Sequence, residues 1–178
     1  ARERFLSRYP KKKSIIVLAG TGGNGGGALV CARRLHSWGA LVRVFVTKPE
    51  AAFSPIPVHQ LAILRRMNVP IARADDLPAE SYVDLIVDGI IGYGIKGTPM
   101  DSAIEMIRWA NRQPAPILAL DVPSGQDATT GAAFDPTIRA AATMTLALPK
   151  EGLRVSASEG TVGELYLADI GVPPELYT

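Results

Sequence analysis

Short apolar runs of strand length alternate along the chain with stretches in which apolar residues recur at helical spacing. The runs fall at residues 15–19, 41–46, a short one near Ile71, 85–88, 117–121, 143–148 and 165–168. Between them, residues 28–38, 58–67 and 102–111 carry the helical pattern. Strands that read as nearly continuous hydrophobic runs, as Ile15-Ile16-Val17-Leu18-Ala19 does, suit parallel strands covered on both faces by crossover helices. The pattern predicts an α/β fold: a doubly wound, mainly parallel sheet with helices on both faces. Gly39 stands where a left-handed residue would close the first helix, and Pro99 marks the approach to the third. Right-handed crossovers bring successive strand ends to one edge of the sheet. No repeat or linker subdivides the 178 residues, so a single domain is expected over residues 1–178, with 1–13 as a basic lead-in.

Composition narrows the function classes. Nineteen Lys and Arg against seventeen Asp and Glu leave a formal charge of +2, too small a surplus to point to nucleic acid or an anionic membrane. No apolar run approaches the roughly 20 residues that cross a bilayer, and no apolar signal core follows the basic lead-in, so the chain reads as cytoplasmic. With one cysteine, Cys31, there is no disulfide framework within it. Cys31 reads as a small buried hydrophobe, His36 and His59 as packing or surface residues, and Lys11-Lys12-Lys13 as a solvated run. Trp38 and Trp109 read as seals on the sheet or as dimer contacts.

Directly after the first strand, Gly20-Thr21-Gly22-Gly23-Asn24-Gly25-Gly26-Gly27 places six glycines in eight residues ahead of a helix. Backbone N–H groups without side chains can surround an anion, and a helix N-terminus adds partial positive charge, so a phosphate-bearing ligand fits here. The same density also suits a tight strand-to-helix turn whose glycines serve packing alone. Gly20, Gly22 and Gly25 match the G-x-G-x-x-G spacing of Rossmann-like folds. The second strand, however, ends Phe45-Val46-Thr47-Lys48, without the carboxylate that holds a ribose in nicotinamide dehydrogenases, which disfavours a conventional oxidoreductase.

Two further strand ends carry polar groups. The fourth runs into Asp88 and a loop through Gly92, Tyr93, Gly94, Ile95, Lys96, Gly97 and Thr98. Asp88 there is either a ligand-site carboxylate or the cap of the following turn, and Lys96 either meets a phosphate or is solvated. The fifth runs into Asp121-Val122-Pro123-Ser124-Gly125. Asp121 is a candidate acid or base, with an Asx-turn to Ser124 as the structural alternative. No Cys/His cluster suggests zinc.

Taken together, the glycine loop, residues 88–97, Asp121-Val122-Pro123-Ser124-Gly125, Leu148-Pro149-Lys150 and Asp169-Ile170-Gly171-Val172-Pro173 resemble the YjeF N-terminal family, whose characterised enzymes are NAD(P)HX epimerases. The resemblance implies interconversion of the C6 epimers of hydrated NADH or NADPH, coupled to a dehydratase, with no redox change. It assigns Asp121 as the catalytic residue. It also implies substrate contacts from Gly23, Asn24, Gly25, Gly26, Gly27, Gly92, Tyr93, Gly94, Ile95, Lys96, Gly97, Thr98 and Asp121. Potassium would be bound by Asn24, Asp88 and Ser124, all oxygen donors suited to a hard cation. A homodimer fits the same resemblance.

The sequence departs from the family in places. Where the family loop reads approximately G-P-G-N-N-G-G-D-G, Gly23 replaces the first Asn, Gly27 the Asp and Ala28 the last Gly, and Gln126 stands where an aromatic residue is frequent. The family's helical N-terminal segment is not visible before Lys11. A noncatalytic module binding a nucleotide-like metabolite or a protein is the alternative to an isomerase.

Overall fold

A computed structural model describes residues 1–6 and 10–177 of the chain. Seven strands form one sheet in which every neighbouring pair is parallel. They are β1 (Ser14–Ala19), β2 (Leu41–Val46), β3 (Ile71–Arg73), β4 (Leu85–Gly89), β5 (Ile117–Leu120), β6 (Ala142–Leu146) and β7 (Glu164–Ala168). The order across the sheet is β3-β2-β1-β4-β5-β6-β7. The chain thus starts in the middle, winds outward to β3, then returns to lay β4 against β1. That reversal opens a crevice at the carboxyl ends of β1 and β4, where open α/β sheets bind ligands.

Why the central strands are apolar along almost their whole length, Asp88 near the carboxyl end of β4 apart, follows from the period of two. Ile15, Val17 and Ala19 of β1 enter one core with Leu85, Val87, Leu118 and Leu120, while Ile16 and Leu18 enter the other with Ile86, Ile117 and Ala119. Each face needs its own cover. Helices α1 (Gly23–Ser37) and α2 (Pro55–Arg66) close the first core with Leu29, Leu35, Leu61 and Leu64, and α3 (Ser102–Arg112) closes the second with Met106, Ile107 and Trp109. Burying each such side chain contributes about 1.5–3 kcal/mol.

Several boundaries differ from the sequence reading, each for a local reason. Helix α1 begins at Gly23, five residues before the expected start, so most of the glycine run is helix rather than loop. Its far end behaves as expected: Gly39 has φ +90° and its N–H donates to the His36 carbonyl at 2.9 Å. Helix α2 takes Pro55 at its first position, where a missing N–H costs nothing. Strand β5 stops at Leu120 and β6 at Leu146, because Asp121 (φ +66°) and Ala147 (φ +64°) turn the backbone out of extended geometry. Trp109 is buried, with its indole N–H on the Pro78 carbonyl at 2.6 Å, whereas Trp38 is 42% exposed beneath the Arg2 guanidinium. Within the basic lead-in, Arg2–Leu6 forms one wide helical turn that buries Leu6 in the first core; residues 7–9 of the lead-in lie outside the described residues. Among the described residues, no helix is long and apolar enough to cross a membrane.

Candidate active site at the carboxyl edge of the sheet

The turn from β1 into α1 is built by close approach. A Cβ on Gly20 would lie 1.9 Å from the Ile90 carbonyl oxygen, and one on Gly25 would lie 1.9 Å from that of Gly20. Gly20 lets the chain leaving β1 press on the chain leaving β4, and Gly25 lets the start of α1 press on Gly20, so the packing reading of the loop holds for them. Gly26 faces Pro57 of α2. Gly22, Gly23 and Gly27 have open space where a side chain would go, and all three line a cavity of about 810 Å³. Gly22 precedes the helix without a side-chain cap, so the first N–H groups of α1 remain available to an anion. The glycine run thus divides into packing positions at Gly20 and Gly25 and cavity-lining positions with open space at Gly22, Gly23 and Gly27.

The cavity lies over the β1/β4 crevice and reaches β5 and β6, within the size range of small-molecule sites. Of the residues named from sequence, Gly23, Asn24, Gly25, Gly27, Gly92, Tyr93, Gly94 and Asp121 form its wall. Gly26, Ile95, Lys96, Gly97 and Thr98 lie outside that wall. Sequence reasoning missed the apolar side of the chamber, contributed by Val30, Cys31, Ile90, Leu120, Met144 and Leu146. Cys31 is the least expected of these. Burial among apolar neighbours pushes its thiol up to about 11.

Asp88, Ser124 and Asn24 meet around the backbone of Ile91. The Ser124 hydroxyl donates to Asp88 Oδ1 at 2.6 Å and its N–H to Oδ2 at 2.8 Å, while the Ile90 N–H reaches Oδ1 at 3.1 Å. Ile91 N–H in turn donates to Ser124 Oγ at 2.8 Å, and the Asn24 side-chain amide donates to the Ile91 carbonyl at 3.2 Å. Asp88 thus caps its turn and belongs to the cluster at once. It is fully buried, and desolvation pushes its carboxyl up to about 6 against the three hydrogen bonds that pull it down. Among the described residues no Lys, Arg or His forms an ion pair with it. One carboxylate, one amide oxygen, one hydroxyl and nearby carbonyls make an all-oxygen donor set that fits a hard, weakly held cation. Among the described residues there is no cluster of three or more His, Cys, Asp or Glu of the kind a transition metal requires.

Asp121 sits one strand over, 6% exposed, on the cavity wall. The Asx-turn to Ser124 does not form. Oδ1 of Asp121 instead accepts from the Leu146 N–H at 3.2 Å and from the ammonium of Lys150. Lys150 is a functional candidate that the sequence reading left without a role, although it lies in the Leu148-Pro149-Lys150 stretch. Its signal was a lone cation shortly after a strand end. Gln126 is fully buried in a separate network, accepting from Thr161 Oγ1 at 2.6 Å and donating to the Gly152 carbonyl at 3.3 Å. It braces the β5–β6 connection.

The fold, the reversal of strand order and the polar cluster at its mouth define a doubly wound α/β protein with a chamber of small-molecule size at the carboxyl edge of its sheet. The chain belongs to the family described as YjeF-related protein N-terminus, which matches residues 1–152. It is 38% identical over 168 residues to an NAD(P)H-hydrate epimerase of Dehalogenimonas lykanthroporepellens, covering 92% of this chain and 64% of that protein. It is 33% identical to an NAD(P)H-hydrate epimerase of Limosilactobacillus fermentum, covering 94% and 80%. A bifunctional NAD(P)H-hydrate repair enzyme of Pyrobaculum aerophilum is 38% identical over 96% of this chain and 35% of its own length. The chain thus spans about a third to two thirds of the first curated relatives it matches. The crystal structure of yeast ynu0 superposes with a TM-score of 0.76 at 26% identity, covering 97% of this chain and 72% of that one.

Proposed function

We propose that the protein is an NAD(P)H-hydrate epimerase, an isomerase that interconverts the C6 epimers of hydrated NADH or NADPH. The observation that carries this reading is Asp121: a nearly buried carboxylate on the wall of the same chamber that Gly23, Asn24 and Gly25, at the uncapped start of α1, also line. The names of the relatives support the same activity. In this reading the N–H groups at Gly23, Asn24 and Gly25 hold substrate phosphate, with Gly92, Tyr93 and Gly94 beside it. The apolar wall at Leu120, Met144 and Leu146 takes the altered ring and keeps water from it.

At C6 the substrate carries both a hydroxyl and the ring nitrogen. Asp121 takes the hydroxyl proton as the C6–N bond opens; the oxygen's electron pair forms a carbonyl, the bonding pair goes to nitrogen, and the proton is passed there. C6 is now planar. Reclosure on the opposite face, with the proton returned to oxygen, gives the other epimer. Asn24, Asp88 and Ser124 would hold potassium, whose charge would compensate the buried Asp88 carboxylate and pin the ends of β4 and β5. Functional coupling to an NAD(P)HX dehydratase is part of the proposal, in keeping with the bifunctional names of longer relatives.

The test is to follow exchange between separated NADHX epimers, with and without potassium, for wild type and Asp121→Asn. Positioned acid–base catalysis is worth about 10²–10⁴-fold, so the variant should lose that much turnover and keep its fold. Wild-type turnover by Asp121→Asn would remove Asp121 from the chemistry, and binding without exchange by wild type would favour the noncatalytic alternative.

A further inference from the structure

Strands β5 and β6 are neighbours in register, Leu120 beside Met144, and both end in the same unusual way. At Asp121 (φ +66°) the Val122 N–H donates back to the Leu120 carbonyl at 2.8 Å; at Ala147 (φ +64°) the Leu148 N–H donates back to the Leu146 carbonyl at 2.8 Å. Three-residue turns about a positive φ are rare and strained, and such strain persists only where the surroundings over-determine it. Here the paired turns place Lys150 above Leu146. Its ammonium donates to the Leu146 carbonyl at 2.9 Å and to Asp121 Oδ1, with side-chain exposures of only 21% for Lys150 and 8% for Asp121.

Both donors to Asp121, the Leu146 N–H and the Lys150 ammonium, fall on Oδ1. Oδ2 has no hydrogen-bond partner among the described residues. Asp88, on the strand at the other side of β5, spends both its oxygens on Ser124 and Ile90. Lys150 itself is not part of the cavity wall.

We infer that Lys150 is a positioning residue: by fixing Oδ1 of Asp121 from behind, it presents Oδ2 to the ligand as the oxygen that exchanges the proton. The kinetic side of this inference rests on the epimerase reading; the geometric side does not. Carboxylate placement within a fraction of an ångström matters because a shift of about 1 Å can cost on the order of 10²-fold in rate.

Lys150→Met keeps the unbranched stem of the side chain, one atom shorter, and removes its charge, while Lys150→Arg keeps the charge. In the epimer-exchange assay, Lys150→Met should lose about 10–10²-fold in kcat with KM within roughly twofold of wild type. Lys150→Arg should recover part of that loss. In the Asp121→Asn background, Lys150→Met should cause no further loss, since it acts only through the carboxylate. Wild-type kcat in Lys150→Met, an equal loss in both backgrounds, or an arginine variant no better than methionine would each overturn the inference. If wild type shows no exchange, the epimerase reading falls, and crystal structures of wild type and Lys150→Met decide the inference alone. Loss of the Oδ1 bond to the Leu146 N–H, with the carboxylate rotated, supports it; an unmoved carboxylate overturns it.

Discussion

Gly25 and Gly27 sit two residues apart in the same helical turn, and alanine should act on them in opposite directions. At Gly25 the added Cβ meets three backbone atoms of Gly20: the carbonyl oxygen at 1.9 Å, the carbonyl carbon at 2.6 Å and the nitrogen at 2.9 Å. The oxygen contact is roughly 1 Å inside any separation a Cβ tolerates, and a backbone carbonyl cannot rotate aside as a side chain can. The start of α1 must then lift away from β1, opening the junction that also carries the Gly20 contact with Ile90. Overpacking of this kind costs about 1–3 kcal/mol and occasionally more; with no flexible neighbour to yield, the upper figure applies. At Gly27 nothing lies within 4 Å of the new methyl, and the residue is exposed in helical geometry, so alanine gains about 0.5–1 kcal/mol of backbone entropy. For a chain of this size each kcal/mol moves the melting temperature by about 2–4 °C. Thermal unfolding followed by circular dichroism should therefore show Gly25→Ala melting at least about 6 °C below wild type and Gly27→Ala about 1–4 °C above it. Equal melting temperatures for wild type and Gly25→Ala, or a fall at Gly27 matching that at Gly25, would refute the division of the loop into packing and chamber-lining glycines.

Potassium titrated against choline at constant ionic strength should raise the melting temperature, since a ligand at tenfold its Kd stabilises the folded state by about 1.4 kcal/mol. Asp88→Asn should flatten that response, and a response equal to wild type would remove Asp88 from the cation site. Because Cys31 is the sole cysteine and burial pushes its thiol up to about 11, iodoacetamide at pH 8 should modify it roughly two orders of magnitude more slowly than free cysteine. The sign follows from the raised value: less thiolate at any pH below it, and a rate rising about tenfold per pH unit from 8 toward 10. Alkylation at the free-cysteine rate, read by mass spectrometry, would contradict the apolar setting of the thiol.

The fold was legible because buried parallel strands demand continuous apolar runs on both faces, and few sequences other than α/β ones supply them. Ile15 to Ala19 is such a run, and its alternate residues do enter the two separate cores. The residues lining the chamber were legible in part, because Asn24, Gly92 and Asp121 lie beside strand ends, and the carboxyl ends of parallel strands share one edge of the sheet. The loop beyond Gly94 was not: a flexible connection in sequence says nothing about which of its residues turn toward the crevice. The start of α1 was misplaced because glycine carries a low helix propensity, and the packing of Gly25 on Gly20 overrides it.

From its letters alone the chain determined the α/β class and the polar residues that stand at the carboxyl ends of its strands, since both depend on local periodicity and connection rules. Only the tertiary structure decided which partners those residues take. Lys150 lies 29 positions from Asp121 and reaches it because two strained turns on adjacent strands fold toward each other. Asp88, in β4, finds Ser124, beyond the end of β5, across 36 positions because the two strands are neighbours in the sheet. Such pairings arise from the register between strands and from turns at their ends, and neither leaves a periodic trace in the sequence.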